Sequence, residues 1–536
     1  MKDILKDIHQ PAWPAHACSL LVSMKRTPRA STVVASAPRL PPVRRCRELC
    51  VSAAAAAGRP GGCWLPRPRK CAGAQGAAAH AEQARAGQQG TRAGERARCL
   101  RLRCAQSQLQ SEKQSPKSSS ALGASAAAVA RGVGASRASF AAADSLVQDN
   151  LRRVLDAFSA ERVGLHVYSE SSGYGHEDAG RDATDAVFAR VVGAEAAAVR
   201  PQFMCGTHAI ACALYGALRP GDELLAVAGH PYDTMEEVIG LRGREGDGSL
   251  REMGVTYQEA PLDKDGGVDL AAVTKRVTPR TKCALIQRSR GYASRRTLSV
   301  QEIGEAAAAV KAANPACVVV VDNCYGEFTE RSEPCVSEHV DIIAGSLIKN
   351  PGGTIARGGG YVAGRREAVL NAVARLSAPG VGFEAGAVSA TDRRLILQGL
   401  FLAPQMTGEA LKGAILVSEV MQLEGYAVSP APDEARFDVI QSVELGSPEA
   451  LQAFCSAIQK RSPVGSYIEP VPGATAGYED EVLFADGTFI EGSTAELSAD
   501  GPLREPFVAY CQGGTTWTHW AIALEGAVQA LRELKQ

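Results

Sequence analysis

The side chain of this 536-residue chain best suited to covalent chemistry is a lysine in a small, apolar setting. Lys349 closes the run Ile342-Ile343-Ala344-Gly345-Ser346-Leu347-Ile348 and is followed by Asn350-Pro351-Gly352-Gly353. An ordinary surface lysine would have charged neighbours. Burial here would lower its pKa and favour the free amine that forms an imine with an aldehyde. The glycine pair lets backbone approach a ligand closely. Twenty-seven residues earlier, Asp322 follows four consecutive valines at what reads as the end of a buried strand. A carboxylate there is either a turn former or the partner of a bound cation. The third candidate is Gly206-Thr207, ahead of a helix of small and apolar residues beginning near His208. Backbone N–H groups and a hydroxyl at a helix start form either a phosphate cradle or a plain cap.

These groups need elements to hold them. Structure is expected to begin near Asp144, which can cap a helix whose apolar positions Leu151, Val154, Leu155 and Phe158 keep helical spacing. Beyond it, short apolar segments (224–228, 283–286, 318–321, 341–344) alternate with amphipathic ones such as 300–313. That alternation predicts an α/β fold with a mostly parallel sheet covered on both faces. From about residue 405 the pattern changes to helices and alternating strands, for example 437–443 and 478–489, which suggests a smaller α+β domain. The expected organisation is a leader over 1–140, a large domain with its N-terminal arm over 141–404, and a small domain over 405–536. In sheets of this kind chemistry collects at the carboxyl ends of the strands, where Asp322 and Lys349 fall.

A phosphate cradle, a Schiff-base lysine and an aspartate for a pyridine nitrogen are together what pyridoxal 5′-phosphate requires. A buried carboxylate keeps the ring nitrogen protonated, and Ser346, three residues before Lys349, can add a hydroxyl to the phosphate. The stretch Arg357-Gly358-Gly359-Gly360 does not match the dinucleotide fingerprint, which rejects a nicotinamide dehydrogenase.

Charge is segregated along the chain. Residues 1–140 carry 23 Lys and Arg against 6 Asp and Glu, whereas residues 141–536 carry 35 against 52. An acidic body argues against nucleic acid as a partner. No run of eighteen apolar residues occurs, so no membrane-spanning helix is predicted. The leader is rich in Ala, Arg, Ser, Gly and Pro, offers few large apolar side chains to bury, and is expected to be disordered. Its composition is that of an organelle transit peptide, with the chloroplast stroma as first expectation and the mitochondrion second. A start at Met24, giving MKRTPRASTVVASAP, suits such a peptide better than one followed by Asp3 and Asp7. Seven of the 15 cysteines lie in the leader and the other eight are scattered without zinc-ligand spacing, so neither metal nor disulfide framework is predicted.

The segments GTHAIACALYGALRPGDELLAV, PYDTMEEVIG, IQRSRGY, VDNCYGEFTE and AGSLIKNPGG resemble the methionine gamma-lyase-like family, also called aluminium resistance proteins. The resemblance covers roughly residues 145–536. It implies the aspartate-aminotransferase-type fold (fold type I, with a seven-stranded sheet in the large domain), a homodimer or homotetramer, and active sites at the subunit interface. It places Lys349 as the internal Schiff-base lysine, Asp322 at the pyridine nitrogen, and Gly206, Thr207 and Ser346 at the phosphate. His208 falls where a ring-stacking side chain is often found, although a helix-start histidine reads equally well. Tyr174, in Ser-Gly-Tyr-Gly, resembles a tyrosine lent to a neighbouring subunit's phosphate, or is one packed aromatic in a glycine turn. Tyr232 could touch the cofactor or gate the substrate. Arg504, Arg288 and Arg290 compete as the fork for an amino-acid carboxylate, with surface salt bridging as the alternative for each. The implied reaction is carbon–sulfur elimination from a sulfur-containing amino acid. Threonine-aldolase-like cleavage, γ-replacement, and a weakly catalytic cofactor-binding protein linked to aluminium resistance remain as alternatives.

Overall fold

Seven strands form the larger of two sheets: β1 (Ala196–Arg200), β2 (Glu223–Ala226), β3 (Thr256–Glu259), β4 (Thr281–Gln287), β5 (Val318–Asp322), β6 (Ile342–Ser346) and β7 (Gly360–Gly364). The computed structural model describes residues 116–475 and 477–536. The strand order is β1-β7-β6-β5-β4-β2-β3, and only β7 runs against the rest. The helices are α1 (Pro116–Ala135), α2 (Arg137–Ala160), α3 (Ala179–Val192), α4 (Gly206–Ala217), α5 (Asp233–Ile239), α6 (Leu270–Arg276), α7 (Val300–Ala313), α8 (Arg366–Leu376), α9 (Ala390–Leu423), α10 (Pro448–Gln459) and α11 (Trp517–Leu534).

The four valines ahead of Asp322 show why this sheet is a middle layer. Val319 and Val321 join the core on one face with Phe188 of α3 and Ile303 of α7; Val320 joins the other with Ile210 of α4 and Val373 of α8. Burying a valine completely is worth about 1.5–3 kcal/mol, so a strand buried on both faces favours unbroken apolar runs over alternation. Helix α7 has the bounds its pattern predicts. Its Ser299 hydroxyl accepts the Glu302 N–H at 3.1 Å while the Glu302 carboxylate accepts the Ser299 N–H at 2.9 Å, a reciprocal cap. Alignment of β4, β5 and β6 sets Gln287 beside Asp322 and Asp322 beside Ala344, so the carboxyl ends of these strands open at one edge.

The second sheet is antiparallel, in the order β10-β11-β12-β9-β8, with β8 (Ala427–Ser429), β9 (Gln441–Glu444), β10 (Val482–Ala485), β11 (Ser498–Pro502) and β12 (Val508–Gln512). Helices α10 and α11 and the C-terminal half of α9 cover it, with Trp520, Phe454 and Leu416 in its core. Strand β9 starts later than the expected 437–443 and ends at Glu444, and β10 covers only 482–485 of the expected 478–489, with Asp438 and Asp486 in loop positions.

Three expectations about organisation need correction. Helix α1 lies inside the stretch expected to be disordered, and most of the leader falls outside the described residues. Composition misled because this helix packs through small residues: a Cβ on Gly132 would come within 2.6 Å of Val420 Cγ2 on α9. Asp144 lies within α2 and pairs with Lys412 of α9 rather than capping a helix. Finally, no break occurs between residues 404 and 405. Helix α9 runs through Pro404, which lies deep in the helix and is buried. Three glycines let α9 touch its neighbours closely: Gly399 meets the Gly352 carbonyl, Gly408 the Val147 side chain and Gly413 the Trp520 ring.

Candidate active site

Lys349 follows β6 by three residues and reaches back over the strand ends. Its Nζ donates to the Tyr325 hydroxyl at 3.0 Å and the Gly492 carbonyl at 3.1 Å, and lies 4.5 Å from the Tyr325 ring centroid. Burial lowers its pKa, opposed by Cys324, Tyr478 and Asp500, so the neutral amine is favoured more than for a free lysine.

Asp322 is the last residue of β5, and its carboxylate accepts the Cys324 N–H at 3.1 Å. Burial raises its pKa; the bonds from Cys324 and the charges of Arg295 and Lys349 hold it back. Neither cation lies within ion-pair distance among the described residues. A cation set directly against it would fix the ionised form.

Helix α4 begins at Gly206-Thr207, against the end of β6. A Cβ on Gly206 would stand 3.0 Å from Ser346 Cβ and 3.3 Å from Ser346 N, so any larger residue would crowd this junction. The Thr207 hydroxyl lies 2.9 Å from that of Thr234, and Ser346 Oγ accepts the Ile348 N–H at 3.3 Å. All these groups line one cavity of about 260 Å³. An open helix start, three hydroxyls, a lysine amine and a buried carboxylate fit pyridoxal phosphate as a donor set.

Tyr232 lines the same cavity and bonds its hydroxyl to that of Tyr478. The other expected residues lie elsewhere. His208 accepts the Met204 N–H at 3.1 Å and meets Phe203 edge-on; it serves its own turn and does not line the cavity. Tyr174 is 69% exposed, stacked on His176 and away from this chain's cavity.

None of the three arginines lines the cavity. Arg288 is sealed in the core, paired with Glu330 at 2.7 Å and Glu333 at 3.3 Å, and donating to Asn323 at 2.8 Å. Arg290 ties Ser429 and Ser442. Arg504 is half exposed and pairs with Asp480 at 2.8 Å. Each answers to protein partners, and these corrections remove all three from direct contact with a ligand in this cavity.

Sequence reasoning missed Tyr325, Tyr292, Tyr478 and Asp500. Tyr325 lies in the very segment that carries Asp322. Asp500 stands four residues before Arg504, on β11, and accepts from the Tyr292 hydroxyl. Burial lifts its carboxyl to about 6, against the bond from Tyr292 and the charge of Lys349.

A doubly covered, mostly parallel sheet, with a lysine and an aspartate at its strand ends and a small domain closing the cavity, defines an α/β enzyme of fold type I. The family model for methionine gamma-lyase matches residues 128–532. The chain belongs to the methionine gamma-lyase family and is a carbon–sulfur lyase. It is similar to a structure from Listeria monocytogenes described as a candidate cystathionine beta-lyase involved in aluminium resistance. Identity is 45%, TM-score 0.73, with 76% of this chain and 99% of that one covered. A structure from Clostridium novyi described as a carbon–sulfur lyase involved in aluminium resistance is 40% identical, at TM-score 0.72, covering 78% of this chain and 99% of its own. The Bacillus subtilis protein YnbB, described as uncharacterised, is 46% identical over 392 residues, 73% of this chain and 92% of YnbB.

Proposed function

We propose that this enzyme uses pyridoxal 5′-phosphate to eliminate a thiol from a sulfur-containing amino acid. The observation that carries the reading is the convergence of Lys349, Asp322 and the Gly206–Ser346 junction on one cavity. When bound, pyridoxal phosphate supplies an electron-withdrawing ring that acidifies the Cα–H bond of an attached amino acid. Gly206, Thr207 and Ser346 would hold its phosphate through N–H and hydroxyl donors. Asp322 would keep the proton on its ring nitrogen. The Lys349 amine takes the proton from the substrate Cα. The Tyr325 hydroxyl, bonded to Nζ, then passes a proton towards the departing sulfur.

The descriptions of the Listeria relative supports β-elimination, which yields pyruvate, ammonia and a thiol. The family description supports γ-elimination, which yields 2-oxobutanoate from methionine. The full chain is incubated with pyridoxal phosphate, desalted, treated with borohydride and mapped. Cofactor fixed on Lys349, with pyruvate from cystathionine or 2-oxobutanoate from methionine, is the expected result. A protein that retains no cofactor, or carries it on another lysine, refutes the reading.

The proposed assembly is a homodimer or homotetramer in which exposed Tyr174 serves a neighbouring subunit's phosphate; Tyr174→Phe should then weaken cofactor retention. A place in the chloroplast stroma, with the mitochondrion as the alternative, rests on the composition of residues 1–140 and is tested by fusing them to a fluorescent protein. Aluminium tolerance is supported only by what the relatives are described as doing.

A further inference from the structure

Among the described residues, the cavity has an unbalanced lining. Three carboxylates, Asp322, Asp486 and Asp500, face it, and Lys349 is its one cation. With Asp322 and Lys349 occupied by the cofactor role given above, two acids remain at the small-domain end. Strand phase puts them there. Along β11, Ala499 turns into the small-domain core while Ser498 and Asp500 turn to the cavity. Asp500 is 5% exposed, yet among the described residues its carboxylate accepts only from Tyr292 and, at 3.4 Å, from Gln512.

A second observation at this end points to a ligand. The hydroxyls of Ser493 and Ser498 belong to residues 2% exposed, both line the cavity, and neither has a hydrogen-bond partner among the described residues. A buried hydroxyl without a partner carries an uncompensated desolvation penalty, which a polar occupant would relieve. The walls agree. Tyr292 packs 5.6 Å from Tyr478, ring centroid to centroid, and aromatic faces attract cations.

We propose that this end of the cavity is a subsite for an ammonium group, so that the preferred substrate carries a distal amine on its thiol side. Asp500 is the specificity-determining residue, with the Ser493 and Ser498 hydroxyls as further acceptors. An ammonium brings three donors and no acceptor, which matches a carboxylate and two hydroxyls. A distal carboxylate would meet two acids, and a distal methyl would leave the hydroxyls unpaired. The proposal rests on the carbon–sulfur lyase reading and narrows its substrate class.

The test uses the full-length holoenzyme and two cysteine thioethers of nearly equal shape. S-(2-aminoethyl)cysteine ends in an ammonium, and S-propylcysteine ends in a methyl. Thiol release is measured for each, with S-(2-carboxyethyl)cysteine as the anionic control. The wild type should prefer the aminoethyl compound in kcat/KM by at least about tenfold, a step of about 1.4 kcal/mol, with the anionic compound slowest. Asp500→Asn should bring the aminoethyl-to-propyl ratio within about threefold, and Ser498→Ala should lower it partway. Comparable turnover of both compounds, or a ratio untouched by Asp500→Asn, overturns the subsite and leaves the lyase reading standing. Release of thiol from none of them removes β-elimination from the lyase reading and leaves γ-elimination. Calorimetric binding of the same pair then decides the subsite: a tenfold tighter aminoethyl compound supports it, and equal binding removes it.

Discussion

Arg393, on α9, is 1% exposed and holds the chain that leads into the Tyr174 loop. One terminal nitrogen donates to the carbonyls of Val167 at 2.7 Å and Ser169 at 2.8 Å. The other donates to the Asp178 carboxylate at 2.7 Å and the Val388 carbonyl at 2.8 Å. Arg393→Met keeps much of the side-chain volume and deletes all four bonds. Removing one partner of a buried ion pair costs about 3–5 kcal/mol. Asp178 retains the N–H groups of Gly180 and Arg181 and the Ser171 hydroxyl, so the expected loss is near the lower end, about 3 kcal/mol. The assay is the urea midpoint at unchanged slope. Asp178→Asn should cost about as much, about 3 kcal/mol, because Arg393 is left buried without its counter-charge and the amide NH2 replaces one of the two accepting oxygens. The double variant should be less unstable than the sum of the singles by at least about 1 kcal/mol. The pH profile adds a sign. Burial would raise the Asp178 carboxyl, but Ser171, the Arg181 N–H and the Arg393 charge outweigh it and lower the pKa overall. A lowered carboxyl stabilises the fold above about pH 4 and loses that contribution as pH falls. Arg393→Met should shrink that loss. A cost below about 1 kcal/mol, or strict additivity, would refute the idea that this pair anchors the loop.

Other tests address the cavity. Gly206→Ala puts a methyl against Ser346 and should weaken pyridoxal phosphate binding about tenfold in a spectrophotometric titration; unchanged affinity would remove the helix start from the phosphate site. Tyr325→Phe should lower turnover about a hundredfold while cofactor retention persists, because the hydroxyl bonded to Lys349 Nζ is lost; full activity would take Tyr325 out of proton transfer. Asp500, lifted to about 6, penalises the folded apoenzyme progressively as pH rises from about 4 to 6. Thermal melts of apo Asp500→Asn should therefore gain on the wild type across that window and stay level above it. A difference independent of pH would mean that Asp500 is not held above the ordinary carboxylate range.

The large-domain half of the site was legible because its signals are local. A valine run ending in an acid, or a lysine three residues past a strand with glycines behind it, occupies fewer than a dozen positions. Strand alignment then brings Asp322 and Lys349 together without further information. The small-domain half depends on phase and on distance along the chain. Ser498, Asp500 and Gly501 show no apolar alternation, so nothing in the segment 497–504 says that Asp500 faces the cavity while Arg504 turns to Asp480. For Arg288 and Arg290 the sequence leaves ligand fork and salt bridge both open, because structural arginines and ligand-binding ones are the same residue at the same strand end. Only the positions of Glu330, Glu333, Ser429 and Ser442 separate the two roles. Helix α1 escaped notice because helices that meet through alanine and glycine bury little apolar area per residue and leave no strong periodic signal.

The three glycine contacts along α9 have a consequence for how chain length can vary. Gly399, Gly408 and Gly413 look towards different neighbours, and each does so only at one rotation about the helix axis. One inserted or deleted residue would turn everything beyond it by about 100° and shift it by about 1.5 Å. Gly413 would then present another azimuth to Trp520 even if Gly399 stayed seated on Gly352. The helix works as a keyed shaft, with the turn behind Lys349 at one end and the small-domain core at the other. An added residue is therefore expected to be tolerated in an exposed loop such as residues 243–247 and to be disruptive within the 34 residues of α9.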